Sequence, residues 1–401
     1  MVVAPDESLN VPDQDLWYES IFIPETDIYS VFFHGPAFRF LDHVFIEGNG
    51  KGIRFRYRDS LQRETMFSDF IPAGIEAAFQ AAAAFGMESR GIMALPVGID
   101  QVTVHSNDRV PYGGELVLLP DTPHENVNEK TTMKFEGVVT DHDGKPIVTL
   151  KGIRMVELEH SEGFPSRIHE TFLSVDEIVK DLETSSGELL IDTLDEEELR
   201  EHSSKATPKR ASEWITGRVA LKKSVQRSLA VRCGNTPLGK SIRITQDELG
   251  KPSAELSDRP GFSVGDVSLS HSNGLVVAIA TAPGSFEGVG IDIEKTEARS
   301  EAWVRDYFTD EEIFAASRDE DRWAQLTRMW CLKEAVLKAF GSGLRFDLRD
   351  ICVADLDDYG RARLEFRNGA AAHFNENGKR AIEARVEERE GLIIARVLIR
   401  K

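Results

Sequence analysis

Little in this 401-residue chain suits an oxidising compartment or a membrane. Its three cysteines, Cys233, Cys331 and Cys352, stand far apart and leave one over. That argues against a disulfide framework or a zinc site and fits a reducing cytoplasm. No apolar run reaches the roughly 20 residues that span a bilayer. The acidic start MVVAPDESLNVPDQDLW lacks the basic-then-apolar order of a signal peptide. No short-period repeat is found. Positive charge is scarce: 48 Lys and Arg face 68 Asp and Glu, a formal net charge of −20. Such an excess repels nucleic acid and anionic membranes, so neither is expected as a partner. Length and ordinary hydrophobic and charged fractions (41% and 29%) allow two or three soluble domains.

The acidity has one local exception. Between residues 205 and 243, Lys205, Lys209, Arg210, Arg218, Lys222, Lys223, Arg227, Arg232, Lys240 and Arg243 oppose a single acid, Glu213. A basic run on an acidic protein points to an anionic partner, and equally to a solvated helix face.

Along the chain, residues 15–160 read as antiparallel strands around one helix. A hairpin is expected at the Gly48-Asn49-Gly50 turn. The Ala-rich stretch near 73–87 reads as a buried helix. LPVGIDQVTVHS, GELVLLP, TTMKFEGVVTD and KPIVTLKGIRMVEL alternate like strands. Residues 161–208 turn acidic and read either as a linker with one or two amphipathic helices or as a helical appendage packed on one domain. Residues 209–401 mix helices and strands in an α+β pattern, with a late helix stopped by Gly341.

Two patterns in this last region bear chemistry. In Gly290-Ile291-Asp292-Ile293-Glu294, strand alternation sends both carboxylates to one face and both isoleucines to the core. Paired carboxylates on a rigid face suit a hard divalent cation, although an edge strand with one wet face reads the same. On the helix WCLKEAVLKAFG, Trp330, Glu334 and Lys338 share a stripe, with Lys333 beside them. A Glu between lysines is ordinary on a solvated helix, but a Trp on that stripe is less so and can pack under a ligand.

Asp292-x-Glu294, followed about forty residues later by Trp330-x-x-Lys333-Glu334-Ala335-x-x-x-Lys338, resembles the signature of the phosphopantetheinyl transferase superfamily. Gly250-Lys251-Pro252, Ser268-Leu269-Ser270-His271-Ser272, Tyr307-Phe308-Thr309-x-x-Glu312 and Trp214-x-x-Gly217-Arg218-x-x-x-Lys222 resemble its surfactin-type, two-lobed branch. The resemblance covers 209–350. It implies transfer of the phosphopantetheine arm of coenzyme A to a serine of an acyl carrier protein, with Mg²⁺ as cofactor. It further implies that Asp292, Glu294 and Glu334 are metal ligands and Glu312 is the general base. Lys333 would be catalytic, and Lys338 would bind phosphate or pantetheine oxygens. Lys251, Ser270 and His271 would grip the adenosine bisphosphate, and Lys222 with Arg218 would hold its 3′-phosphate. The basic run would then greet the acidic helix of a carrier protein or carrier domain.

The first half resembles the second hotdog of polyketide synthase dehydratases. The resemblance rests on Phe33-His34-Gly35-Pro36-Ala37-Phe38, Ile71-Pro72-x-x-Ile75-Glu76-Ala77-Ala78-Phe79-Gln80, Leu95-Pro96-x-Gly98-Ile99, and Asp141-x-Asp143-Gly144-Lys145-Pro146 with Gly152. The expected fold is thus α+β throughout: an N-terminal hotdog at 15–160, a linker at 161–208, and a two-lobed transferase at 209–401. The family's H-x-x-x-G-x-x-x-x-P segment is missing, and Glu76, four residues before Gln80, stands where the usual Asp would be. His34 offers a substitute base, but reads more simply as a structural residue in a turn before a strand. The hotdog would therefore dehydrate only with a first-hotdog partner polypeptide, or else serve as a scaffold. A hotdog fused to a transferase resembles the C-terminal end of enediyne-type iterative polyketide synthases.

Overall fold

An Ala-rich helix, Phe70–Phe85, forms the axis of the N-terminal half. Pro72 falls in its first turn, where a missing amide donor costs nothing. Ala77, Ala78, Ala81, Ala82 and Ala84 have no exposed surface, because side chains this small let strands close around the helix. It continues as a π-helical turn, Gly86–Arg90, and stops at Gly91 in the left-handed conformation (φ 65°). Taken as a helix, Phe70–Arg90 is long and apolar enough to cross a bilayer (21 residues, mean hydropathy 1.2), unlike the apolar runs sought in the sequence. It is covered instead by its own sheet.

The computed structural model describes residues 18–48, 52–58, 70–107, 109–119, 131–161, 163–164, 167–184, 193–205, 207–233, 237–319, 321–343, 345–375, 381–389 and 391–400. The hairpin turn expected at Asn49-Gly50, the N-terminal segment 1–17, residues 185–192 of the expected linker and the side chain of Cys233 lie outside them.

The covering sheet has eleven strands. In spatial order it runs Val267–Ser272, Leu275–Thr281, Ile168–Ser174, Tyr18–Pro24, Leu41–Glu47, Gly52–Tyr57, Gly113–Leu118, Thr132–Thr140, Pro146–His160 and Ile92–Gly98, with Gln101–Val104 pairing off Pro146–His160. The sheet is thus shared by both halves. A five-stranded antiparallel sheet, Gly288–Lys295, Leu392–Arg400, Ala381–Arg389, Arg361–Phe366 and Ile351–Leu356, carries the helix Arg322–Phe340. A hairpin of Ile242–Gln246 and Pro252–Leu256 and the long helix Pro208–Cys233 complete the other lobe of the C-terminal half. Ahead of the helix Arg322–Phe340 come two short helices, Glu301–Tyr307 and Asp310–Ser317. Thr309 caps the second, its side chain accepting from Glu312 N while Glu312 bonds back to Thr309 N.

The 161–208 segment departs from the linker expectation. Its strand Ile168–Ser174 pairs with Tyr18–Pro24 on one side and Leu275–Thr281 on the other, joining the halves by backbone hydrogen bonds. Its helices Val175–Thr184 and Glu196–Ser203 lie against Pro208–Cys233, with Ile178 and Leu194 buried among Ile215, Val219 and Leu229. Charge seals the junction. Glu170 of the joining strand pairs with buried Arg396, which also bonds Glu387 at 2.9 Å. Asp42 of the hotdog meets Arg361 and Arg385, and Asp27 meets Arg400 at 2.8 Å. One apolar cluster draws on all parts: Phe22 and Phe45 from the hotdog, Ile168 and Phe172 from the joining strand, and Ile291, Ile293 and Ile394 from the five-stranded sheet.

Candidate active site

The strand Gly288–Lys295 uses both periodic faces. Val289, Ile291 and Ile293 are fully buried in the shared apolar cluster, as alternation requires. On the other face stand Gly288, Gly290, Asp292 and Glu294. A Cβ on either glycine would collide with the backbone of Ala339 or Ala335, so the helix Arg322–Phe340 rests directly on the strand there. Contact this close brings the Trp330, Glu334 and Lys338 stripe alongside the two carboxylates.

The result is a cleft of about 450 Å³ lined by Gln246, Gly250, Pro252, Leu269, Ser270, His271, Asp292, Glu294, Trp330, Glu334 and Lys338. Asp292 Oδ1 accepts from Ser270 Oγ at 2.8 Å and from Lys338 Nζ at 2.7 Å. Lys338 Nζ also donates to the Ile291 carbonyl at 3.2 Å. Glu294 Oε2 accepts from Ser272 Oγ at 2.9 Å. Burial, and then the negative Asp292, push the Glu334 carboxyl above its ordinary pKa. Glu294 is raised for the same two reasons, against the opposing bond from Ser272.

These residues fit a divalent cation. Asp292 is buried and its Oδ2 has no hydrogen-bond partner, an arrangement that costs free energy unless a cation sits against it. As placed, no three acidic, imidazole or thiol groups among the described residues already close on a metal position. Like-charged carboxylates repel and do not converge by themselves.

Several expected site residues stand elsewhere. Lys333 is fully buried, and its Nζ donates to Tyr307 O at 2.9 Å, Glu312 Oε2 at 2.8 Å and Leu348 O at 3.1 Å, using all three donors. Glu312 is buried with it and also accepts from Thr309 N and Val353 N. The pair fastens three elements together and does not line the cleft, contrary to the expected roles of Lys333 in catalysis and Glu312 as base. Lys222 is likewise enclosed, bonded to Thr193 O and Glu198, and burial lowers its pKa. Arg218 donates to the Ile244 carbonyl and lies over the Trp214 ring at 4.9 Å. Neither lines the cleft, so the structure does not place them for a phosphate. Lys251 borders it: its neighbours Gly250 and Pro252 are lining residues, but its Nζ is held by Asp266 at 2.9 Å and Ala339 O at 3.2 Å. Exposed His271 and buried Ser270 do line it. Gln246 was not singled out in the sequence, and Pro252 and Leu269 stood inside quoted motifs without a role of their own.

In the hotdog, Glu76 Oε1 accepts from Gln80 Nε2 at 3.0 Å and lies 3.4 Å from His34 Nε2. Gln80 also donates to Phe38 O and accepts from Tyr29 OH at 2.7 Å. His34, read from sequence as a substitute base or, more simply, a turn residue, faces Glu76, and its buried Nδ1 has no hydrogen-bond partner.

The fold defines a hotdog joined through a common sheet to a two-lobed α+β unit, and family comparisons agree. Residues 288–393 match the family model of the 4′-phosphopantetheinyl transferase superfamily, and residues 7–164 that of the polyketide synthase dehydratase N-terminal domain. The chain therefore combines a polyketide synthase dehydratase domain with a 4′-phosphopantetheinyl transferase superfamily domain. The dehydratase model is that of the N-terminal domain, not of the second hotdog that the motifs suggested. Solved structures similar to the chain include a dehydratase domain of a trans-AT polyketide synthase from Brevibacillus brevis (17% identity, 34% of this chain, 49% of that one, TM-score 0.28). Others are the holo-[acyl-carrier-protein] synthase of Neisseria meningitidis (22%, 29% and 99%, 0.27) and the ACPS–CoA complex of Chronobacterium ammoniagenes (22%, 28% and 96%, 0.25). The chain spans about half the length of the dehydratase structures it matches. No curated protein matched.

Proposed function

We propose that this protein moves the 4′-phosphopantetheine arm of coenzyme A onto a serine of an acyl carrier protein or carrier domain in a polyketide or fatty-acid pathway, as a holo-[acyl-carrier-protein] synthase. The observation that carries the reading is the cleft where Asp292, Glu294, Glu334 and Lys338 meet, with one buried carboxylate oxygen left unpaired. Asp292, Glu294 and Glu334 would hold Mg²⁺, which when bound neutralises charge on the pyrophosphate. Lys338 can leave Asp292 for a phosphate oxygen once a cation replaces it, and exposed His271 offers a ring nitrogen on the same wall. Half-buried Trp330 and Leu269 supply apolar surface for the pantetheine or adenine. Glu312 is sealed away, so the serine proton must pass to a cleft group or to water. Lys209, Arg210, Lys240 and Arg243 remain exposed and suit an acidic carrier helix. Intact mass spectrometry of an apo-carrier mixed with this protein, coenzyme A and Mg²⁺ tests the reading. Gain of one phosphopantetheinyl group, lost in Asp292→Ala, is expected; an unmodified carrier at every protein concentration contradicts it.

The His34–Glu76 contact favours a second activity in the hotdog. An imidazole and a carboxyl facing each other can move protons on a 3-hydroxyacyl thioester within one chain, without a first-hotdog partner. Incubation with such a thioester should give reversible dehydration that Glu76→Ala and His34→Ala each abolish. No turnover by the protein, alone or with dehydratase partners, removes this reading.

A further inference from the structure

Two sheet edges face each other at the cleft without a backbone ladder between them. Val267–Ser272 is the last strand of the eleven-stranded sheet, and Gly288–Lys295 the last of the five-stranded one. Side chains bridge the gap at every second residue of the first strand and the residue before it. Asp266 Oδ2 accepts from Val289 N at 2.7 Å, and Ser268 Oγ accepts from Ile291 N at 3.2 Å. Those bonds satisfy the donors of an otherwise open edge. The next two rungs change character. Ser270 and Ser272 donate to the carboxylates of Asp292 and Glu294, at 2.8 and 2.9 Å.

Each of these hydroxyls occupies one carboxylate oxygen and leaves the other. On Asp292 the atom left is Oδ2, buried and unpaired, while Oδ1 is taken by Ser270 and Lys338. On Glu294 the atom left is Oε1, since Ser272 holds Oε2. A carboxylate oxygen that already accepts a hydrogen bond is a weaker donor to a cation than its free partner, which favours binding through one oxygen. Small ions that require octahedral geometry and keep their waters accept that readily; Ca²⁺, with six to eight ligands and frequent bidentate carboxylates, loses donors by it. Resting on the proposed metal site, we infer that Ser270 and Ser272 are positioning residues that hold Asp292 and Glu294 monodentate and so select Mg²⁺ or Mn²⁺ over Ca²⁺. This deepens the transferase reading by naming what sets its metal preference.

Mn²⁺ binding to the full chain with coenzyme A present, followed by electron paramagnetic resonance of free Mn²⁺, tests this apart from turnover. Wild type should bind Mn²⁺, and Ca²⁺ should displace it only in large excess. Ser270→Ala/Ser272→Ala should bind Mn²⁺ roughly tenfold more weakly, the usual loss when an outer partner of a ligand is removed. It should also yield Mn²⁺ to a smaller Ca²⁺ excess, and Ser272→Thr, which keeps the hydroxyl, should behave as wild type. Ser272→Ala alone, at a half-buried position, makes the same test if the double variant does not fold. Unchanged Mn²⁺ affinity and unchanged Ca²⁺ competition in the alanine variants overturn the serine assignment and leave the metal site standing. If wild type binds no Mn²⁺, or Asp292→Ala binds it equally, the site itself is wrong and the inference falls with it.

Discussion

Gly290 runs directly beneath the carbonyl of Ala335, with no space between them for a side chain. The contact sets the depth at which the helix Arg322–Phe340 lies on its strand, and hence how near Glu334 and Lys338 come to Asp292. Gly290→Ala should force the helix off the strand and destabilise the protein by about 1–3 kcal/mol, as overpacking generally does. Thermal unfolding measures the loss. Carrier modification should fall further than the remaining folded fraction explains, because the cleft widens.

Glu312 and Lys333 give a sharper contrast. Both are buried and each satisfies the other. Glu312→Gln leaves a buried ammonium without its counter-charge, which typically costs about 3–5 kcal/mol. Urea unfolding should show a stability loss of that size, with transfer falling only as far as folding does. Asp292→Asn should do the reverse, keeping most of the stability and losing transfer. A general base at 312 would instead show full stability and a lost rate.

The joining strand makes stability sensitive to acid. His169 is enclosed, and both its ring nitrogens lack hydrogen-bond partners. Burial, with help from Arg167 and Arg227, lowers its pKa from 6.5 to about 3. The folded imidazole therefore stays neutral while the unfolded one gains a proton below about pH 6.5. Unfolded chains then bind more protons, so stability declines as pH falls from 6.5 towards 3, by about 1.4 kcal/mol per pH unit from this group. Denaturant titrations across that window should show the slope, and His169→Leu should flatten it.

Much of the transferase cleft was legible because its signals are local. Alternation put Asp292 and Glu294 on one face, and a helical period put Trp330, Glu334 and Lys338 on one stripe. The same reasoning failed one residue away: Lys333 is turned about 100° from Glu334 around the helix, which carries it into the core. Lys222 was also misplaced, because nothing near it in sequence announces Glu198 as its buried partner. The strand Ile168–Ser174 was hidden by the acids around it. Its own Glu170 is buried because Arg396, more than two hundred residues later, neutralises it. The Ser268, Ser270 and Ser272 alternation was visible, but what it faces could be known only once the two sheet edges met. His34 and Glu76 likewise meet through tertiary structure alone.

The shared core ties the hotdog to the transferase site. Phe22 of the first strand is 1% exposed and packs in the cluster that seats Ile291 and Ile293. Phe22→Ala should cost about 3–5 kcal/mol. One cooperative transition is expected, with the loss registered equally by a fluorophore on either half. Two separated transitions, the transferase half unshifted, would show that the halves fold independently.

The central claim is that Asp292, Glu294 and Glu334 surround one divalent cation. Crystals grown with Mn²⁺ and coenzyme A, measured at the manganese absorption edge, test it most directly. The account predicts a single strong anomalous peak within bonding distance of all three carboxylates and of the coenzyme's pyrophosphate. A peak elsewhere in the molecule, or coenzyme A bound in the cleft with no peak beside these residues, would contradict it.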